Sequence, residues 1–142
     1  MICMKTLVVS IFACLILVSC DNRNQKKDVI QVVQTVNDDP TVYVYYFHTK
    51  LRCKGCVAVE NVSKQTVTEN YKGNNNVRYV EVNLDEDKDE YLIEKYRVAW
   101  NTLLITKGDK QVNITNDAFA WAENSPEVLT EQIMTEVNRF LE

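Results

Sequence analysis

Cys53-Lys54-Gly55-Cys56 constrains this chain more than any other feature. The pair follows a run dense in valine and aromatics, Thr41-Val42-Tyr43-Val44-Tyr45-Tyr46-Phe47, which reads as a buried central strand. The residues after it read as a helix to about Tyr71, closed by Lys72-Gly73 with glycine at the expected C′ position. Two intervening residues put the second sulfur about one helical turn from the first, within reach of a disulfide. A C-x-x-C pair at a strand-to-helix junction points to thiol–disulfide chemistry.

The N-terminus bears on the redox compartment. Lys5 precedes an apolar stretch from Leu7 to Val18. That is short for a bilayer span, which needs about 20 residues, and has the proportions of a secretory core. It ends in Leu17-Val18-Ser19-Cys20, which resembles a bacterial lipobox. In that signal class cleavage precedes the cysteine, and the thiol is lipidated. Residues 1–19 are therefore expected to be a lipoprotein signal peptide and Cys20 the lipid attachment point. The alternatives are an ordinary signal peptide with a coincidental cysteine, or a retained anchor. The expected location is outside the cytoplasm, on a bacterial membrane and facing the periplasm.

Export changes the cysteine count. Of five cysteines, Cys3 and Cys14 leave with the signal and Cys20 carries lipid, so Cys53 and Cys56 remain as the thiols of the soluble part. A framework of several disulfides is thereby excluded, and a redox pair is favoured. Residues 20–40 read as a polar tether from Asp21 to Lys27, followed by Val29 to Val36 and a turn at Asn37-Asp38-Asp39-Pro40. The Val29–Val36 run suits an edge strand or a short amphipathic helix, with its β-branched content favouring the strand. Residues 41–142 are expected to form one domain with its own core. Loss of Lys5 takes the formal charge from −4 to −5. Mild acidity without a basic stripe argues against nucleic-acid binding.

Beyond the cysteines the pattern gives a strand at Val77–Leu84, a helix at Asp87–Tyr96 and a strand at Thr102–Thr106. A tight turn at Lys107–Lys110 leads into a returning strand at Gln111–Thr115. A final helix is expected from Ser125-Pro126-Glu127, with Ser125 as N-cap and a buried stripe of Leu129, Ile133, Val137, Phe140 and Leu141. Alternation followed by a hairpin implies an α/β domain with a mixed sheet and helices on both faces.

The chain at this point resembles the thioredoxin-like superfamily. The resemblance rests on the C-x-x-C and on Val82-Asn83-Leu84-Asp85-Glu86, Glu94-Lys95-Tyr96-Arg97-Val98, Thr102-Leu103-Leu104-Ile105 and Lys107-Gly108-Asp109, and spans about Thr41 to Glu142. More narrowly, Tyr45-Tyr46-Phe47-His48 through Arg52-Cys53 and Cys56 resembles the exported or lipid-anchored ArsF nitroreductase-subunit family of gut bacteria. The superfamily implies a thioredoxin-like fold and a dithiol oxidoreductase acting on protein disulfides and dithiols. Two departures stand out. Where thioredoxins place a cis-proline this chain has Asn101, and a cis bond before a non-proline residue costs about 2.5–4 kcal/mol, so a trans peptide is expected. The buried acid of the thioredoxin central strand is also missing, leaving Tyr43, Tyr45, water or nothing to serve the second thiol.

In this reading Cys53 attacks and Cys56 resolves. The helix N-terminus and the cations Lys50, Arg52 and Lys54, with no carboxylate between His48 and Val59, favour a Cys53 thiolate. His48, the sole histidine, is a candidate proton shuttle near the sulfurs, or a plain loop residue. Trp100 and Asn101 belong to the loop expected to face the cysteines, with Trp100 lining a docking groove or filling core. Phe119 and Trp121 read as core or covering residues. No cofactor is expected, and two thiols with one histidine fall short of the four ligands of a structural zinc site. An exported reductase needs electrons, which implies a membrane thiol carrier as partner. The competing readings are a non-catalytic redox-switch or binding subunit, and an electron donor dedicated to one arsenical or nitro-compound reductase.

Overall fold

The computed structural model describes residues Asp39 to Glu142. The expected signal peptide, the lipidated Cys20, the tether and the Val29–Val36 segment lie outside the described residues.

Among the described residues there are four strands: β1 (Val42–His48), β2 (Val77–Asn83), β3 (Thr102–Lys107) and β4 (Lys110–Asn113). They lie in the order β2-β1-β3-β4. β1 and β2 run parallel, with Tyr46 beside Glu81 and His48 beside Asn83. β3 is antiparallel to β1 on its other side, and β4 returns antiparallel to β3. β1 is thus interior to the sheet and covered on both faces, which is why all but one of its residues are buried. The β3–β4 turn is Gly108-Asp109, and Gly108 takes φ +57°, which a two-residue hairpin of this kind asks of its first position.

Strand alternation divides the core. Val42, Val44 and Tyr46 face helices α1 (Lys54–Asn70), α3 (Thr115–Trp121) and α4 (Pro126–Leu141). Their partners there include Val59, Val67, Ala118, Leu129, Ile133 and Val137. Tyr43, Tyr45 and Phe47 face the other way, toward Leu92, Ile93 and Tyr96 of α2 (Glu90–Tyr96). A 3-10 turn at Asp87–Asp89 introduces α2, and Arg97 ends it in the left-handed region at φ 52°. The βαβ unit, the antiparallel hairpin and helices on both faces make this a thioredoxin-like α/β fold. Among the described residues no helix is long and apolar enough to cross a membrane.

Two local expectations are corrected. Ser125 does sit at the N-cap of α4 with Pro126 opening the helix, but its hydroxyl makes no capping bond. Its backbone carbonyl accepts instead from Val128 N at 3.0 Å. The returning strand also ends at Asn113, and Thr115 starts helix α3, which the sequence pattern did not show. Thr115 Oγ1 accepts from Leu103 N at 3.0 Å, so this residue ties the new helix to β3.

Candidate redox site

β1 delivers the chain to the site and α1 receives it. Cys53 is the N-cap of α1, extended at φ −82° and ψ 165°, and its Sγ accepts from Cys56 N at 3.0 Å. That N–H is one of the first-turn donors a helix cannot satisfy internally. A donor aimed at sulfur from a helix N-terminus favours the charged thiolate over the thiol. Cys53 and Cys56 are joined as a disulfide, with Cα atoms 5.0 Å apart. Cys53 is exposed while Cys56 is only 2% exposed, so an incoming thiol meets Cys53. This asymmetry comes from the helix itself: Cys56 is one turn in, on the face that packs against the sheet.

The approach loop is pinned at three points. Leu84 N donates to His48 O at 2.7 Å, Lys50 N donates to an Asp85 carboxylate oxygen at 2.6 Å, and Thr49 N donates to Asn101 Oδ1 at 3.1 Å. Asn101 stands immediately before β3. Its other amide atom, Nδ2, donates to Cys56 Sγ at 3.2 Å. The orientation of the amide follows from its partners, since the backbone N–H of Thr49 requires an oxygen and leaves NH2 toward the sulfur. Among the described residues there is no cis peptide bond, Asn101 included.

Two of the three cations around Cys53, Arg52 and Lys54, are already ion-paired, which the local sequence did not show. Arg52 turns inward and is ion-paired with Glu60 of α1, with Glu81 of β2 at 3.5 Å. Lys54 pairs at 2.9 Å with Glu123, from the segment between α3 and α4. Lys50 is exposed. Counting charges only between His48 and Val59 overlooks Glu60, one residue past that window, and Glu81 and Glu123, which the fold brings in from distant elements. Electrostatic support for a Cys53 thiolate therefore comes mainly from the helix terminus.

His48 is buried and belongs to this ion-pair cluster. Its Nε2 lies 2.9 Å from Glu81 Oε1, and its Nδ1 lies 2.9 Å from Thr49 O and 3.3 Å from Arg52 Nη1. Nδ1 can donate to the carbonyl or accept from the guanidinium, but not both. His48 also stacks on Tyr46, over which Arg52 sits 5.9 Å from the ring centroid. Its partners are thus Glu81, Thr49 and Arg52 rather than either sulfur.

Tyr43 and Tyr45 do not reach the second cysteine, because alternation places them on the α2 face. Tyr43 donates to Asp39 at 3.0 Å instead. Tyr46 is the strand tyrosine on the cysteine side, and its hydroxyl donates to Cys56 O at 2.9 Å. Burial pushes the Tyr46 hydroxyl above its ordinary range and keeps it a donor.

Apolar side chains rim the exposed sulfur in sequence. Leu51, two residues before Cys53, is 87% exposed, and Trp100, beside Asn101, is 71% exposed. Trp100 is therefore a surface residue and not core. Phe119 packs on the core, and Trp121 is partly exposed. Among the described residues no group of three His, Cys, Asp or Glu side chains is placed to hold a metal ion.

No protein-family model matches the chain, and no curated protein matches it. Among solved structures it is similar to Trxlp from Edwardsiella tarda EIB202, at 16% identity over 70% of this chain and 88% of that one, with a TM-score of 0.47. It is also similar to a malarial protein, at 27% identity over 56% of this chain and 91% of that one, with a TM-score of 0.38.

Proposed function

We propose that this protein is an exported, lipid-tethered thiol–disulfide oxidoreductase that works through the Cys53–Cys56 pair. One observation carries the reading: an exposed Cys53 caps α1 and is bonded to a Cys56 buried one turn deeper. In the oxidised form a partner thiolate attacks Cys53 Sγ, the Cys53–Cys56 bond breaks, and its electron pair goes to Cys56 Sγ. In the reduced form Cys53 attacks a partner disulfide, and Cys56 then displaces the partner from the mixed disulfide. The exposed Leu51 and Trp100 offer a protein substrate apolar contact beside the reacting sulfur. Export and the tether rest on the Leu17–Cys20 lipobox pattern. An exported reductase then draws electrons from a membrane thiol carrier.

Dithiothreitol-driven reduction of insulin tests the activity, and acceleration over buffer is the expected result. Failure of the wild-type protein to accelerate it, together with a Cys53 pKa near the free value of about 8.5, would sink the reading. The reduction potential then gives the direction, about −270 mV for a reductant and about −120 mV for an oxidant. Labelling with a radioactive fatty acid, lost in Cys20→Ala, tests the anchor.

A second reading draws on Asn101. A side chain bonded to both Thr49 and Cys56 replaces the proline at which thioredoxins dock their targets. This favours a dedicated partner, and the resemblance to the ArsF family makes an arsenical or nitro-compound reductase the class to try. Electron transfer to such an enzyme, with no turnover of insulin, would select this reading over the first.

A further inference from the structure

Taking the redox reading of Cys53–Cys56 as its basis, we infer that the Asn101 side-chain amide is a catalytic hydrogen-bond donor to the resolving sulfur. Three observations meet at this residue. Nδ2 is 3.2 Å from Cys56 Sγ, Oδ1 is held at 3.1 Å by the backbone N–H of Thr49, and Cys56 is buried. The Thr49 bond fixes which end of the amide faces the sulfur, so the donor is already oriented before any reaction. Cys56 has little water to stabilise a developing charge, and a burst of negative charge on a buried atom is costly without a donor. A preoriented N–H at that atom is worth more there than in water.

The balanced step shows where the donor acts. A dithiol thiolate attacks Cys53 Sγ and forms a new S–S bond there. The Cys53–Cys56 bond breaks heterolytically, and Cys56 leaves as a thiolate bearing the electron pair. The Asn101 N–H strengthens its bond to that sulfur as the charge develops. A leaving thiol of lower pKa departs faster, so the amide accelerates opening of the disulfide. In the reverse direction it holds a share of Cys56 as thiolate, ready to attack Cys53 in a mixed disulfide.

Asn101→Ala and Asn101→Asp in the full chain test this. Ala removes both the donor to sulfur and the acceptor for Thr49. Asp keeps the acceptor and the shape but turns an oxygen to the sulfur. Two readouts are needed: the rate at which dithiothreitol opens the Cys53–Cys56 disulfide, followed by alkylation and peptide mass, and the titration of Cys56 in a Cys53→Ala background, followed by its 13Cβ shift. Asn101→Ala should slow opening about three- to tenfold and raise the Cys56 titration by about one pH unit, as loss of a charge-assisted hydrogen bond implies. Asn101→Asp should do at least as much, through repulsion. If Asn101→Asp behaves as wild type in both readouts, the residue only anchors Thr49 and the inference fails. Wild-type values in Asn101→Ala overturn it equally. Failure of the redox reading itself looks different, since the wild-type protein would then not accelerate insulin reduction and its Cys53 would titrate near the free value of about 8.5, whatever the Asn101 variants do.

Discussion

Nε2 of His48 lies 2.9 Å from Oε1 of Glu81 on the neighbouring strand, and the Arg52 guanidinium lies against both residues. The same guanidinium is paired with Glu60. One residue before the exposed cysteine, a positive charge is thus shared by two carboxylates and an imidazole. Arg52 ties the loop to α1 and β2, and its charge is largely neutralised before it can act on sulfur.

Arg52→Met should therefore cost stability more than it changes thiol chemistry. Removing the guanidinium leaves Glu60 of α1 without its cation and Glu81 of β2 with His48 alone. Arg52 and Glu60 are mostly buried, though not fully, so a loss of about 2 kcal/mol is expected. Urea unfolding of the oxidised protein measures it. The Cys53 titration should stay close to that of wild type. A large rise in the Cys53 pKa with an unchanged urea midpoint would show the opposite division of labour.

Gly55→Ala has a sign that the geometry decides. Gly55 is in the first turn of α1, where alanine is favoured over glycine by about 0.5–1 kcal/mol. A Cβ there would meet Glu123 Oε1 at 3.2 Å and Phe119 Cδ1 at 3.5 Å. The tighter contact is to the end of a flexible side chain, which can shift while keeping its pairing with Lys54. We expect Gly55→Ala to be stabilising by about 0.5 kcal/mol in thermal unfolding. A loss of more than about 1 kcal/mol would mean that Glu123 is held rigidly over the helix start.

Alkaline pH should unfold this protein more steeply than acid. Burial raises the hydroxyls of Tyr45, Tyr46, Tyr71 and Tyr79 above their ordinary value of 10.0. Each stays protonated in the fold at pH values where it ionises in the unfolded chain. The unfolded state then binds fewer protons, so stability falls as pH rises. The contribution is intact below pH 10 and is lost progressively as pH climbs toward the folded-state values. Asp39 shifts the other way, lowered mainly by the Thr41 backbone N–H, but it is almost fully exposed and contributes little. Urea midpoints should hold between pH 6 and 9 and drop above about 10, with absorbance at 295 nm reporting delayed tyrosinate formation. Tyr45→Phe should flatten that drop.

The sequence pattern made the element order legible because each long element has a strong local signature. β1 is nearly unbroken apolar chain, and α4 carries Leu129, Ile133 and Val137 at helical spacing, all fully buried. Helix α3 escaped because Ala118 is the one buried residue of its seven, too little for an apolar stripe to show. The two cysteines could be placed from their spacing after β1, and Asn101 through the thioredoxin resemblance, which puts a proline at that position before β3. The charge around them could not. Glu81 reaches the site through strand register and Glu123 through packing of α3 on α1, neither of which leaves a trace near residue 53. The choice of Tyr46 over Tyr43 and Tyr45 turned on which face of β1 meets α1, and an interior strand apolar on both faces gives no pattern to decide that.

Leu51 and Trp100 together supply the last expectation. Both are apolar and both are strongly exposed, Leu51 two residues before Cys53 and Trp100 beside Asn101, whose amide donates to Cys56 Sγ. Exposed large apolar side chains near a reactive group mark a contact surface more often than a stability device. Leu51→Ser with Trp100→Ala should leave unfolding within about 0.5 kcal/mol of wild type, since neither side chain is in the core. Opening of the disulfide by dithiothreitol should also be unchanged, because a small dithiol needs no apolar footing. Reaction with a protein disulfide should weaken, chiefly as a higher KM, by tenfold or so if the tryptophan contributes about 1.4 kcal/mol of contact. Equal losses with dithiothreitol and with protein substrate would show instead that the pair shapes the loop around Cys53, and that partner recognition lies elsewhere on the surface.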